Sequence, residues 1–301
     1  MTRWVIHTLK AVVALALIWL LWSRAGIEVL PRALHDLRSG WLAIGALLVP
    51  IAIGIRSYNL SLLVNARNDL LGQAALFRLT LIGIGLNLFL PAGASDLAKA
   101  AVAYKRHGSP EDLIVSTVLD KVTAITALAA MGAVGAALSS EWVLSGISVV
   151  VLLLSLVPFV FPHRVPWRWL VRLLASGHDI NEERLAESAR PSGPLLFRVV
   201  AVSAAGWVVT YAVVYVCCMA VGAEVSAWYV LALAPLTTLA KLIPISAGGV
   251  GLGEFTMAFL LEQAGVGQEL ATRASLLALV LLTLVPGVVG LGLWLIDRPR
   301  L

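Results

Sequence analysis

The chain has 301 residues, 60% of them hydrophobic and only 13% charged, with a mean hydropathy of +0.93. A soluble domain of this length is far more polar, so a water-facing globule is excluded. The formal net charge of +5 therefore has no soluble nucleic-acid-binding domain to serve and bears instead on membrane topology.

Apolar stretches reach the roughly 20 residues that a helix needs to cross about 30 Å of hydrocarbon. They are continuous and rich in Leu, Val and Ala, without the alternation of a barrel strand, which predicts an all-α polytopic membrane protein. The first span is expected at 5–23. Arg3 and Lys10 lie upstream of its apolar run, Ala11–Trp22, as in a signal peptide, but Ser23-Arg24-Ala25-Gly26 is a poor cleavage site, so the span is read as uncleaved. Further spans are expected at 41–63, 113–138, 142–161, 195–220 and 270–296, about six crossings in all. Cys217 and Cys218, adjacent within one of them, are read as packing residues.

Two other apolar regions, 72–107 and 226–264, are interrupted by Leu90-Pro91-Ala92-Gly93 and by Ile243-Pro244-Ile245-Ser246-Ala247-Gly248-Gly249. Proline removes a backbone donor and glycine permits a sharp bend, so each region is expected to enter the bilayer and return as a re-entrant helical hairpin. The long polar stretch, 162–194, is expected as a cytoplasmic loop whose Trp167–Leu174 part lies along the interface. The whole of 1–301 reads as one membrane domain.

Basic residues cluster at the N-terminus (Arg3, Lys10), at Lys105-Arg106, at Arg164, Arg168 and Arg172, and at the C-terminus (Arg298, Arg300), which the positive-inside rule makes cytoplasmic, with both termini. The 24–38 loop departs from the rule, because it carries three arginines and falls outside. On this map the first hairpin enters from the cytoplasm and the second from outside. The segments 41–138 and 195–296 thus outline an inverted repeat, a plan that recurs in alternating-access transporters because broken helices can line a polar cavity.

Charged residues within or beside the apolar regions are the candidate functional groups: Asp96, Lys99, Asp120, Lys121, Lys241 and Glu254. A charge at the centre of a span costs roughly 2.5–3.5 kcal/mol on insertion scales, so deep ones need partners or water. Asp96 and Lys99 are three residues apart and share a helix face, while Lys241 and Glu254 flank the second break. The lysines offer charge to a phosphate head group, and Asp96 and Glu254 are candidates to carry protons if transport is gradient-driven. Arg56 and Arg198 lie near span ends and are expected to reach the interface. No paired-His spacing, nucleophile elbow or phosphate loop is present, so no enzyme activity, metal or cofactor is expected.

Asn87-Leu88-Phe89-Leu90-Pro91-Ala92-Gly93-Ala94-Ser95-Asp96-Leu97-Ala98-Lys99-Ala100 resembles the N-x-x-LP-x-x-x-GE-x-x-R-A region of the lysylphosphatidylglycerol synthase transmembrane family. Ile243 to Glu254 resembles that family's second signature, P-x-S-x-GG-x-G-x-RE. The resemblance covers most of the chain and implies a lipid-translocating fold with two re-entrant hairpins. Fused members carry a synthase domain after this module; none follows Leu301, so aminoacylation is not expected of this chain. Asp96 and Lys99 stand where the family has Glu and Arg, and Asp120-Lys121 where it has Glu-Arg. Gly253 stands where an Arg precedes the glutamate, and Leu279 where the last span has an Arg.

The leading expectation is a lipid flippase of a bacterial-type cytoplasmic membrane, moving a phospholipid, polyprenyl or hopanoid-like lipid past Asn87, Asp96, Lys99, Asp120, Lys121, Lys241 and Glu254. Pro91, Gly93, Pro244, Gly248, Gly249 and Gly251 shape the breaks. The alternatives are a small-solute transporter or channel, or a non-catalytic partner of a lipid-modifying enzyme. No nucleic-acid partner is expected, and a homo-oligomer is compatible with the pattern.

Overall fold

The computed structural model describes residues 37–65, 72–88, 110–160, 192–242 and 250–297, and Trp19 besides. These form helices and short turns, with no strand among the described residues. In chain order they are α1 (Ser39–Asn65), α2 (Gln73–Asn87), α3 (Pro110–Leu138), α4 (Trp142–Val160), α5 (Gly193–Val221), α6 (Ala227–Leu242), α7 (Leu252–Gln263), α8 (Gln268–Leu279) and α9 (Val285–Asp297). A π-helical turn, Val280–Leu284, joins α8 to α9.

Among the described residues, five stretches are long and apolar enough to cross a membrane: Ser39–Val64, Val115–Leu138, Trp142–Phe159, Gly193–Val221 and Gln268–Ile296. They match five of the spans expected from sequence; the span at 5–23, Trp19 apart, lies outside the described residues. The exposed surface is apolar, with Trp142, Val143, Leu153 and Leu154 of α4 and Val285, Val288, Leu295 and Ile296 of α9 facing outward. Buried polar groups such as Asn59, Ser116, Thr123, Ser203 and Glu254 lie inside. Lipid solvates such an exterior as water solvates a polar one, and the protein is a multi-pass membrane protein.

The last span is not the uninterrupted helix expected over 270–296. At the π turn Val285 donates to Val280, five residues back, instead of four. Pro286 follows directly, and its ring has no N–H and crowds the carbonyl four residues upstream, so the chain widens there.

Helix contacts are closest where side chains are smallest. At one end of the α1–α5 pair the Arg38 N–H donates to the Ala220 carbonyl at 3.0 Å, and at the other Tyr58 meets Arg198, so the two helices run antiparallel. That places Arg38 against the carboxyl end of α5, where the helix dipole favours a cation. A Cβ at Gly290 of α9 would lie 1.9 Å from the Leu81 carbonyl of α2, and one at Gly85 of α2 2.7 Å from the Gly287 carbonyl. On α3, a Cβ at Gly132 would lie 1.9 Å from the Pro235 ring of α6, and one at Gly135 2.8 Å from the Ala232 nitrogen. Backbone-to-backbone packing of this kind is how membrane helices gain dispersion energy without a hydrophobic driving force.

Candidate functional site

Around the second break, α6 ends at Leu242 and α7 begins at Leu252, with Gly251 as its N-cap. Gly251 has φ of 89°, a left-handed conformation that glycine adopts without the steric cost of a Cβ. Its N–H donates to Glu254 Oε2 at 2.7 Å, so the third residue of the helix closes back on the cap. The other oxygen, Oε1, lies 2.9 Å from Lys241 Nζ in the last turn of α6. Opposite charges flanking the break in sequence are thus joined across it.

Glu254 is the one charged side chain in the buried class among the described residues, and its side chain is only 3% exposed, against 39% for Lys241. Both of its oxygens have donors, as a carboxylate buried in an apolar bundle requires. Lys241 reaches it over Gly253. A Cβ at Gly253 would lie 2.0 Å from Lys241 Cε and 2.5 Å from its Cγ. The missing side chain at 253 leaves the groove in which the lysine stem lies.

A second polar group sits where α1, α3 and α5 meet. The Asn59 amide donates to Asp120 Oδ1 at 2.9 Å and to Ser203 Oγ at 3.0 Å. Both amide hydrogens are committed, and Asn59 Oδ1 is buried without a donor among the described residues. Ser203 begins a stripe at four-residue spacing along α5. Trp207 Nε1 donates to the Ala124 carbonyl of α3 at 2.9 Å, and the Tyr211 hydroxyl donates to the Ala234 carbonyl of α6 at 2.7 Å. Tyr211 also meets Thr238 at 2.6 Å and Thr237 at 3.2 Å, and its ring lies 5.9 Å from that of Trp207. Thr238 is one turn before Lys241 on α6, so a polar seam runs from Asp120 along α5 to the second break.

Of the residues expected to line a site, Lys241, Glu254 and Gly251 come together, while Asp120 joins Asn59 and Ser203. Lys121 is half-buried on α3 and Asn87 is the last residue of α2. Asp96, Lys99, Pro91, Gly93, Pro244, Gly248 and Gly249 lie outside the described residues. Arg56 on α1 and Arg198 near the start of α5 are exposed.

Sequence reasoning passed over Asn59, Ser203, Tyr211 and Arg273. Arg273 pairs with Glu269 one turn earlier on α8, and its side chain is only 11% exposed. A cation inside the expected 270–296 span was the signal that pointed to it. Cys217 and Cys218 are free thiols packed in the core around α5. Among the described residues, no three His, Cys, Asp or Glu side chains gather as a metal site would require.

No curated protein matches the chain. A family model does: residues 8–290 match the lysylphosphatidylglycerol synthase TM region. A match over that much of the chain places this protein in the lysylphosphatidylglycerol synthase transmembrane family.

Proposed function

We propose that the protein is a lipid flippase or facilitator, carrying the head group of an amphiphilic lipid along a polar path between leaflets while the acyl chains stay in the bilayer. Family membership already indicates a membrane protein of lipid metabolism or transport. The observation that carries the finer reading is the ion pair at the second break. A buried carboxylate tied to a half-exposed ammonium beside a left-handed glycine cap is a costly arrangement for an apolar bundle to maintain as packing alone.

In this reading the chain sits in a bacterial-type cytoplasmic membrane with both termini cytoplasmic, and 41–138 and 195–296 form an inverted repeat with two re-entrant hairpins. The glycine contacts support it. The helix leading into the first break, α2, packs on the last span of the second half; the helix leading into the second break, α6, packs on the last span of the first. Such reciprocal pairing is what a two-fold axis in the membrane plane produces. The path runs past Asn87, Asp96, Lys99, Asp120, Lys121, Lys241 and Glu254, and the protein itself performs no covalent chemistry.

The test is purified protein in vesicles carrying a fluorescent lipid, with a membrane-impermeant quencher outside. Transport makes inner-leaflet label reachable, and Glu254→Gln and Asp120→Asn slow it. Inner-leaflet label that stays protected in vesicles holding folded wild-type protein, across phospholipid and polyprenyl probes, rejects the reading.

A further inference from the structure

We infer that Lys241, at the end of α6, binds an anionic head group, and that position 253 determines this because a side chain there and the Lys241 stem compete for one slot. The inference rests on the translocation reading and names the charge class of its substrate. Three observations carry it.

The first is what a ligand meets. Glu254 has its oxygens taken by Lys241 Nζ and the Gly251 N–H, and its side chain is 3% exposed, so it offers nothing to an incoming cation. Lys241 is 39% exposed, and an ammonium has three donors, of which Glu254 takes one. The accessible charge is therefore positive, and its remaining N–H groups suit a phosphate oxygen.

The second is the slot. A Cβ at Gly253 would fall 2.0, 2.5 and 2.8 Å from Cε, Cγ and Cδ of Lys241. These are three successive parts of one stem, so the whole lysine lies where a side chain from 253 would leave the helix. A long cationic side chain at 253 would start in the volume that Lys241 fills and stand beside the same glutamate.

The third is the direction from which the cation comes. Lys241 belongs to α6 and Glu254 to α7, so the pair spans the break, whereas a cation at 253 would sit on the same helix as the carboxylate. An anion that draws the ammonium away from Glu254 therefore loosens the tie between α6 and α7.

The experiment uses full-length protein in nanodiscs of phosphatidic acid and phosphatidylcholine in equal amounts, with retained lipid read by native mass spectrometry and folding followed by thermal melting. Wild type retains phosphatidic acid preferentially. Lys241→Gln combined with Glu254→Gln keeps a neutral hydrogen bond, leaves no buried charge unpaired, and lowers the preference roughly tenfold or more, the loss expected for a charge-assisted hydrogen bond. Gly253→Ala evicts the lysine stem and lowers it likewise. Gly253→Arg combined with Lys241→Ala restores the preference by refilling the slot from α7. A Gln–Gln protein that keeps the preference overturns the role of Lys241, and a folded Arg–Ala protein without it overturns the shared slot. Inorganic phosphate that leaves the retained lipid in place identifies the lipid as the source of the anion; phosphate that displaces it overturns the lipid assignment in favour of a free anion. A wild type that transports lipid but shows no charge preference rejects this inference alone, whereas intact preference without transport rejects the translocation reading alone.

Discussion

Asn59 on α1 and Asp120 on α3 are 61 residues apart in sequence and share a hydrogen bond of 2.9 Å, with the second amide hydrogen going to Ser203 on α5. One side chain thus holds three helices in register. Asp120→Asn keeps an acceptor for the amide and leaves the melting temperature nearly unchanged. Asp120→Leu strands a buried donor and costs about 1–3 kcal/mol. Thermal unfolding in detergent separates the two, and equal melting of both variants contradicts the arrangement.

At the second break, removing either charge alone has unequal consequences. Lys241→Met leaves Glu254 buried and uncompensated, at a cost of about 3–5 kcal/mol. Glu254→Gln is milder, because Lys241 is 39% exposed and its ammonium can turn toward water or head groups. The double variant recovers most of the loss. A double-mutant cycle on chemical unfolding measures the coupling, and strict additivity of the two single effects rules out the pair.

The Tyr211 hydroxyl bonds Ala234, Thr237 and Thr238, yet Tyr211→Phe is expected to cost only about 0.6–1.7 kcal/mol, the range for hydrogen bonds between membrane helices. Its sharper signature is local. Amide exchange in the middle of α6 accelerates, while exchange in α8 does not change.

Gly290 and Gly292 lie two residues apart on α9 and make a matched pair for substitution. Gly290→Ala drives a methyl group into the Leu81 carbonyl and costs about 1–3 kcal/mol by overpacking. Gly292 has nothing within 4 Å of its would-be Cβ, so Gly292→Ala is neutral or stabilising by up to about 1 kcal/mol. Similar melting of the two proteins contradicts the close approach of α2 and α9.

These residues also mark where sequence is informative and where it is not. Hydropathy located α1, α3, α4, α5 and the α8–α9 span to within a few residues, because the length and apolarity of a span are properties of one contiguous segment. Lys241 and Glu254 were recognisable because charge is costly in hydrocarbon wherever it stands. Asn59, Ser203 and Tyr211 were not. A lone amide or hydroxyl in an apolar run is common, and its importance appears only when a distant helix supplies the partner. Gly290 is equally silent, since a glycine in a span does not reveal which neighbour it admits. Pro286 lies in a segment expected as an uninterrupted span, and its missing N–H accounts for the π turn found there.

The bonds from Ser203, Trp207 and Tyr211 fall on one line of α5 and reach partners on α1, α3 and α6. Sliding α5 by one residue along that line would require a rotation of about 100° to keep its side chains in step, and all of these bonds would break together. Helix α5 therefore cannot creep by small increments; it behaves as a keyed shaft. Any rearrangement of the bundle must therefore be taken up elsewhere, and the π turn at Val280–Leu284, where the last span has already lost regular bonding, is the place in the described chain best able to yield.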